Sequence, residues 1–277
     1  MSADLLKICD PLAYYNQFLL ESVYPDGRSI SRFRPILLQL GINGKLSGSS
    51  LARQGGATVT CRIESSLIPV SDAPVIVPVI QAAPNVSKNF VEDGMVMITQ
   101  LIAQNCFCGK DALKTAGGRL TWLLHLHIMI LSVDGALCDA LCTCVAGALV
   151  DLRLPKVSLN WDEDIPIDIT KVELSETFHH IEITDIPVSC TFIVHEGPNK
   201  EMKILCDPVS ELYRIIPHKI VVVTGNNGRI HRINQLGSCG GDSTMQRVVH
   251  IAIKRQKLLA DALIRARDAH LLMERKK

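Results

Sequence analysis

Aromatic residues are scarce. Phe, Trp and Tyr fill 4% of 277 positions, so a core must be built from aliphatic side chains. Excess charge of either sign is missing too: 29 Lys and Arg against 28 Asp and Glu leave +1. That excludes a whole-molecule field drawing the chain onto nucleic acid or membrane. No apolar run reaches the ~18 residues that cross a bilayer. The longest, 120–133 and 140–150, are broken or bounded by His, Asp and Gly. Residues 1–10 lack the basic start and long apolar stretch of a secretion signal, and no membrane partner is expected. Motifs of strong chemistry are missing as well. Gly44-Lys45 has neither the upstream Gly nor the following Ser or Thr of a P-loop, and no nucleophile elbow occurs. Cys106 and Cys108, like Cys142 and Cys144, stand one residue apart. Zinc knuckles need two to four, and no His pair follows at finger spacing. No metal or cofactor is expected.

The composition, 47% hydrophobic and 21% charged, is that of a globular chain long enough for a sizeable core. Most of the ten cysteines sit inside apolar segments, where a thiol acts as a small hydrophobe. This predicts a reducing, intracellular compartment. His125 and His127 would share one side of a strand, a geometry open to metal ligation, but an alternating strand face is the favoured reading.

Asp10-Pro11 starts a helix over 10–22: an Asp cap, then Pro at the first helical position. Strands are expected at 33–40, 48–54 and 57–65, with Gly-marked turns at 41–44 and 55–56. Residues 68–89 carry four prolines and read as an extended edge or a loop. An amphipathic helix is expected over 95–107 and an apolar strand, buried on both faces, over 119–133. A small-residue helix follows at 136–152, then an acidic, irregular connection over 160–176. Strands return at 187–195, 203–206, 219–224 and 229–234, before a Gly-rich loop at 236–241 and a last helix over 243–273. Strands then helices, twice over, predict an α+β fold of two similar halves in one domain spanning 1–277, with its core between 28 and 241.

Local charge is uneven. Residues 245–277 hold nine basic and three acidic side chains, +6, whereas 151–244 hold nine and 14, −5. A solvated helix face and a helix that meets phosphate or a partner both fit the basic end. Gly237-Ser238-Cys239-Gly240-Gly241 precedes that helix without a motif lysine, and reads as a connector.

Five segments in order carry a resemblance. They are Tyr14-Tyr15; Pro25-Asp26-Gly27-Arg28 with Phe33-Arg34; the paired strands from Gly48 to Cys61; Val133-Asp134-Gly135-Ala136-Leu137-Cys138-Asp139-Ala140; and Asp207-Pro208 ahead of the Gly-rich loop. From about residue 10 to 270 the chain resembles the RNase PH-like ring subunits of the eukaryotic RNA exosome. One departure is Tyr24, where that family usually has a basic residue.

The resemblance implies the RNase PH fold and raises a question of activity. Active relatives cleave RNA from its 3′ end with inorganic phosphate, held by a Gly-Thr-Arg-like segment after the Asp-Gly turn, and use acids from a later strand pair. Here Cys138 stands where the guanidinium would be, and Asp139 after it is expected to repel phosphate and RNA. Asp207 matches the first acid; the second falls near Pro217-His218, and 215–223 contains no carboxylate. A phosphate site reduced to Cys138, Asp139, Asp207 and His218 implies a non-catalytic subunit. Lys88, in the loop after the Pro-rich stretch, is the implied RNA contact. The implied partners are other RNase PH-like subunits in a hexameric ring, with a direct heterodimer partner resembling exosome component 5. S1/KH cap subunits and RNA in the central channel complete the set. Nuclear, nucleolar and cytoplasmic residence is expected with a role in RNA degradation and ribosomal RNA processing. Two alternatives stay open: a phosphorolytic 3′ exoribonuclease with a rearranged site, and an unrelated α+β protein whose basic last helix docks a partner.

Overall fold

The computed structural model describes residues 3–42, 48–71, 73–115, 118–158, 172–197 and 201–274. The turn expected at 41–44 and the acidic connection lie partly outside these residues, and Arg275-Lys276-Lys277 wholly outside them.

The chain opens with two helices rather than one, α1 (Ala3–Cys9) and α2 (Pro11–Leu20). Pro11 has no N–H to continue the ladder, so one helix ends and the next begins at Asp10. The Asp10 carboxylate accepts from Ala13 N at 3.0 Å and caps α2. The helix ends short of the expected residue 22, where Ser22 turns to a φ of 58°.

Five strands form the first sheet in the order β1-β2-β3-β5-β4: β1 (Ile36–Leu40), β2 (Ser49–Gln54), β3 (Ala57–Pro69), β4 (Ile76–Ala82) and β5 (Leu120–Ser132). The Pro-rich stretch supplies β4, parallel to β5 and at the sheet edge, where the missing N–H of Pro78 costs least. In β5, buried and half-buried side chains alternate from Trp122 to Ile130. Only one face meets the core, a correction to the two-sided burial its composition suggested.

Helix α3 (Lys88–Ala103) starts at Lys88 rather than Met95, because Phe90 and Val91 already pack against the core. Lys88 therefore opens a helix instead of lying in a loop. Helix α4 (Leu137–Asp151) is buried along nearly its whole length. Its small side chains allow this: Gly147 sits against Leu40, Ser50 and Leu263, and Ser50 Oγ donates to the Cys144 carbonyl at 2.5 Å.

The second sheet has the order β11-β10-β8-β9, from β8 (Val188–Glu196), β9 (Met202–Cys206), β10 (Lys219–Thr224) and β11 (Ile230–Leu236). Helix α6 (Asp242–Glu274) closes the chain. Helix α4 packs on β2, β3 and β8, and α6 on β1, β8 and β10, so the two long helices join the two sheets. Besides α1, the sequence reading missed α5 (Ser210–Ile215) and an antiparallel ribbon of β6 (Arg153–Ser158) and β7 (Glu173–His180). The ribbon's second strand replaces part of the expected irregular connection. Each half ends in a long helix as predicted; with α3, expected between strands, and α5, not expected, strands and helices are interleaved. No helix among the described residues is long and apolar enough to cross a membrane.

Candidate functional site

The segments that carried the sequence resemblance meet at one junction. Asp207 ends β9 in a left-handed conformation, φ 51°, with its side chain fully buried. Arg34 grips it twice, Nε to Oδ2 at 2.9 Å and Nη2 to Oδ1 at 2.8 Å, while Arg34 N donates to Oδ2 at 2.8 Å. Burial works to raise the Asp207 pKa, but the bonds and charge of Arg34 outweigh it and hold the carboxyl below its ordinary range. The same guanidinium pairs with the Asp134 carboxylate and donates to the Asp134 carbonyl at 3.0 Å. Asp134 accepts in turn from Ser210 N at 3.1 Å and Gly56 N at 3.3 Å.

Arg28 closes the junction from the other side. Its Nη2 donates to the Asp207 carbonyl at 3.0 Å, and its guanidinium lies 4.2 Å from the centroid of the Tyr24 ring. Tyr24 is buried and donates to the Cys206 carbonyl at 2.8 Å. The one departure from the family opening is thus a packing residue. Asp207 is not an available acid; it is the anchor that ties the Arg28 and Arg34 segment to the start of α5 and the turn before α4.

That turn presents the start of α4. Gly135 has a φ of 79° and lies against the Pro208 carbonyl, so a side chain there meets both strain and backbone. Ala136, at the cap position, makes no side-chain bond to the helix. Cys138 follows, half-buried, its thiol pushed up to about 12 by burial and by the charges of Asp139 and Asp93. It is protonated at neutral pH, which makes it neither an anion receptor nor a nucleophile.

Around Cys138 stand residues the sequence reading did not assign to a site. Tyr213 of α5 faces Phe90 of α3, ring centroids 6.2 Å apart. Lys219 Nζ lies 3.9 Å over the Tyr213 ring, and its pKa is lowered by burial against the opposing pull of Asp93. Arg232 of β11 acts electrostatically on Cys138, and its Nη1 is buried without a hydrogen bond. Lys219 and Arg232 therefore stand with Asp93 around Cys138. No sequence motif spans these residues, since α3, α5, β10 and β11 bring them together from distant positions.

The expected site residues divide. Cys138 is half-buried among Asp93, Lys219, Tyr213 and Arg232. Asp139, by contrast, is buried, and its carboxylate accepts from Ser189 Oγ at 3.0 Å, Thr191 N at 3.0 Å and Thr191 Oγ1 at 2.8 Å. It faces β8, so the expected repulsion of phosphate by Asp139 is corrected: the charge is turned into the interior. Burial and then Asp207 raise its pKa to about 7. His218 Nδ1 accepts from Ser238 N at 3.0 Å and holds the Gly-rich loop. Lys88 is exposed at the first turn of α3, the helix end that carries Phe90 and Asp93. The rings of His125 and His127 lie 6.4 Å apart, and His127 Nε2 meets Glu64 at 3.2 Å. Among the described residues no three His, Cys, Asp or Glu side chains are arranged to hold a metal ion.

Residues 32–155, the first sheet with α3 and α4, match the family described as RNase_PH, 3′ exoribonuclease family, domain 1. A chain of an archaeal exosome core superposes with a TM-score of 0.71, covering 94% of this chain and 98% of that one at 18% identity. The chain has the RNase PH fold. A second RNase PH-fold neighbour, rice Rrp46, gives a TM-score of 0.60 over 88% of this chain and 99% of that one, at 12% identity. By sequence the chain is 25% identical to exosome complex component Rrp42 of Pyrococcus furiosus, over 92% of this chain and 95% of that protein. Exosome complex component rrp43 of Schizosaccharomyces pombe is 24% identical over 84% and 87%.

Proposed function

We propose that this chain is a ring subunit of an RNA exosome, of the kind called exosome component 8, and that it helps form the RNA channel without cleaving RNA itself. One observation carries the non-catalytic reading. At the start of α4 a protonated thiol, Cys138, occupies the position that a phosphate-gripping guanidinium holds in the active relatives' pattern. Asp207, the carboxylate matched to the first acid of that pattern, is locked in the interior, as is Asp139 beside the thiol. Losing one fixed donor from a transition-state site costs ~10²–10³ in rate, and this site lacks several groups at once.

The finer assignment rests on the order of the sequence motifs from Tyr14 to the Gly-rich loop. The proposed setting follows from it: a hexameric ring, a heterodimer partner resembling exosome component 5, S1/KH cap subunits, and support of 3′-to-5′ RNA degradation and ribosomal RNA processing in nucleus, nucleolus and cytoplasm. Imaging of a tagged chain reads the last point directly.

A phosphorolytic reading has one observation in its favour, the pair Lys219 and Arg232 beside Asp93. Full-length chain incubated with inorganic phosphate and oligoadenylate decides between the two. Nucleoside diphosphate at background level is the expected result. Release that Asp93→Asn or Lys219→Gln abolishes would establish the phosphorolytic reading instead.

A further inference from the structure

A groove of about 490 Å³ is lined on one side by the β6–β7 ribbon and on the other by the first sheet. In β7, Leu174, Glu176 and Phe178 are spaced by two, so they share one face of the strand. Pro155 of β6 pairs with Phe178 and lies on that face beside it, and Arg153, opposite His180, marks the end of the ribbon. The facing wall is Trp122 of β5 with Ser65 of β3. The ribbon face is open: Leu174 is 56% exposed and Phe178 40%. Trp122 is the opposite, 6% exposed and part of the core. Its indole N–H has no acceptor among the described residues, yet it is not one of the buried polar atoms left without a partner. The N–H therefore keeps access to solvent and can donate. Glu176 is exposed and forms no ion pair among the described residues, with Arg153 included.

These groups define the occupant. A helix about 10 Å across takes up roughly 400 Å³ per turn. The groove would hold barely one turn, too little for anchors at i, i+4 and i+7. An extended segment fits better. Leu174 and Phe178 lie about 13 Å apart along their strand, which matches about four residues of polyproline II helix at 3.1 Å each. Such a segment has no internal hydrogen bonds, so its carbonyls are open to a donor such as the Trp122 N–H. Aromatic-lined grooves are the surfaces that take proline-rich segments, whose conformation is already formed and costs little to order. Glu176 then sets the charge of the partner: an uncompensated carboxylate repels a phosphate backbone and attracts a basic side chain. We infer that the groove between Trp122 and Phe178 binds a proline-rich segment of another protein in polyproline II conformation, with an Arg or Lys of that segment on Glu176. This goes beyond the ring reading and does not depend on it.

The test is fluorescence anisotropy with labelled peptides on the full-length chain as purified, with any subunits that accompany it. The probe is a peptide with a Pro-x-x-Pro core and one flanking Arg. Saturable binding is expected, weakened about tenfold or more when the prolines become alanines. Phe178→Ala should cost a similar factor, since an aromatic anchor carries much of the binding energy. Trp122→Phe, which keeps a ring in the core and removes the N–H, should cost roughly three- to tenfold. Glu176→Lys should weaken the Arg-flanked peptide and strengthen one flanked by Glu. Circular dichroism checks that each variant keeps the fold. No binding of the probe, or equal binding of the alanine peptide, overturns the inference. So does unchanged affinity in Phe178→Ala and Glu176→Lys. Binding that the lone chain shows and an assembled complex loses would make the groove a subunit contact, and overturns it too. If the chain joins exosome subunits yet fails this test, the ring assignment stands and the groove proposal falls.

Discussion

At the residue scale the molecule turns on two buried carboxylates with opposite fates. Asp207 is held below the ordinary range by Arg34, so the stability it contributes is present above an unfolded pKa of ~4 and fades as pH falls through its lower folded value. Asp139 is raised to about 7 by burial, so the stability associated with its neutral form is complete below ~4 and drains away as pH rises through 7. Thermal melts should therefore show stability falling between pH 4 and 7 by up to a few kcal/mol from this group. Asp139→Asn, which keeps the side chain's shape and removes the titration, should flatten that fall. An unchanged slope in the variant would assign the pH dependence elsewhere. Removing the partner of a buried ion typically costs 3–5 kcal/mol. Arg34→Met, which strands Asp207 in the interior, should show a loss of that size in urea titration. Arg34→Lys should recover only part of it, since an ammonium cannot reproduce the guanidinium's two-sided grip on Asp207 and Asp134.

Elements explain which parts of the fold were legible from sequence. Long periodic stretches fixed their own structure: β5, α4 and α6 sit within a few residues of their expected bounds. Pro78 lies in an edge strand, one of the two readings, extended edge or loop, that the prolines allowed. Short elements escaped, because α5 is six residues long and its stability comes from Leu212 in the core rather than from any pattern. The ribbon of β6 and β7 escaped for a similar reason, its register set by pairing across the chain with Pro155 inside a strand. The site was legible as a set of motifs but not as geometry. Nothing near Asp207 in sequence says that Arg34, 173 positions away, will neutralise it. Nor does anything near Asp139 say that Ser189 and Thr191 will turn it inward. One element-scale prediction concerns α3. Lys88 places a positive charge at a helix N-terminus, where it opposes the macrodipole by ~0.3–1 kcal/mol. Lys88→Glu should stabilise the chain by that order in urea titration. If Lys88 contacts RNA within the assembled ring, the same change should weaken RNA binding there.

At the scale of the whole molecule, the apolar surface left open accounts for the need for neighbours. The edge strands leave Leu37 of β1, and Ile230, Ile233 and Leu236 of β11, exposed, and α6 exposes Leu258 and Leu272. Exposed edges with apolar side chains invite association. Expressed alone the chain should aggregate, and co-expression with a complementary RNase PH-fold subunit should return it to the soluble fraction. A monodisperse monomer at high concentration would speak against that expectation. The central claim, that this chain is one member of a mixed ring and serves it as architecture, is tested most directly by native mass measurement of the complex purified through a tag on this chain. The account predicts a six-membered ring of RNase PH-fold subunits containing one copy of this chain, with cap proteins attached. The chain recovered alone, or only with copies of itself, would contradict it.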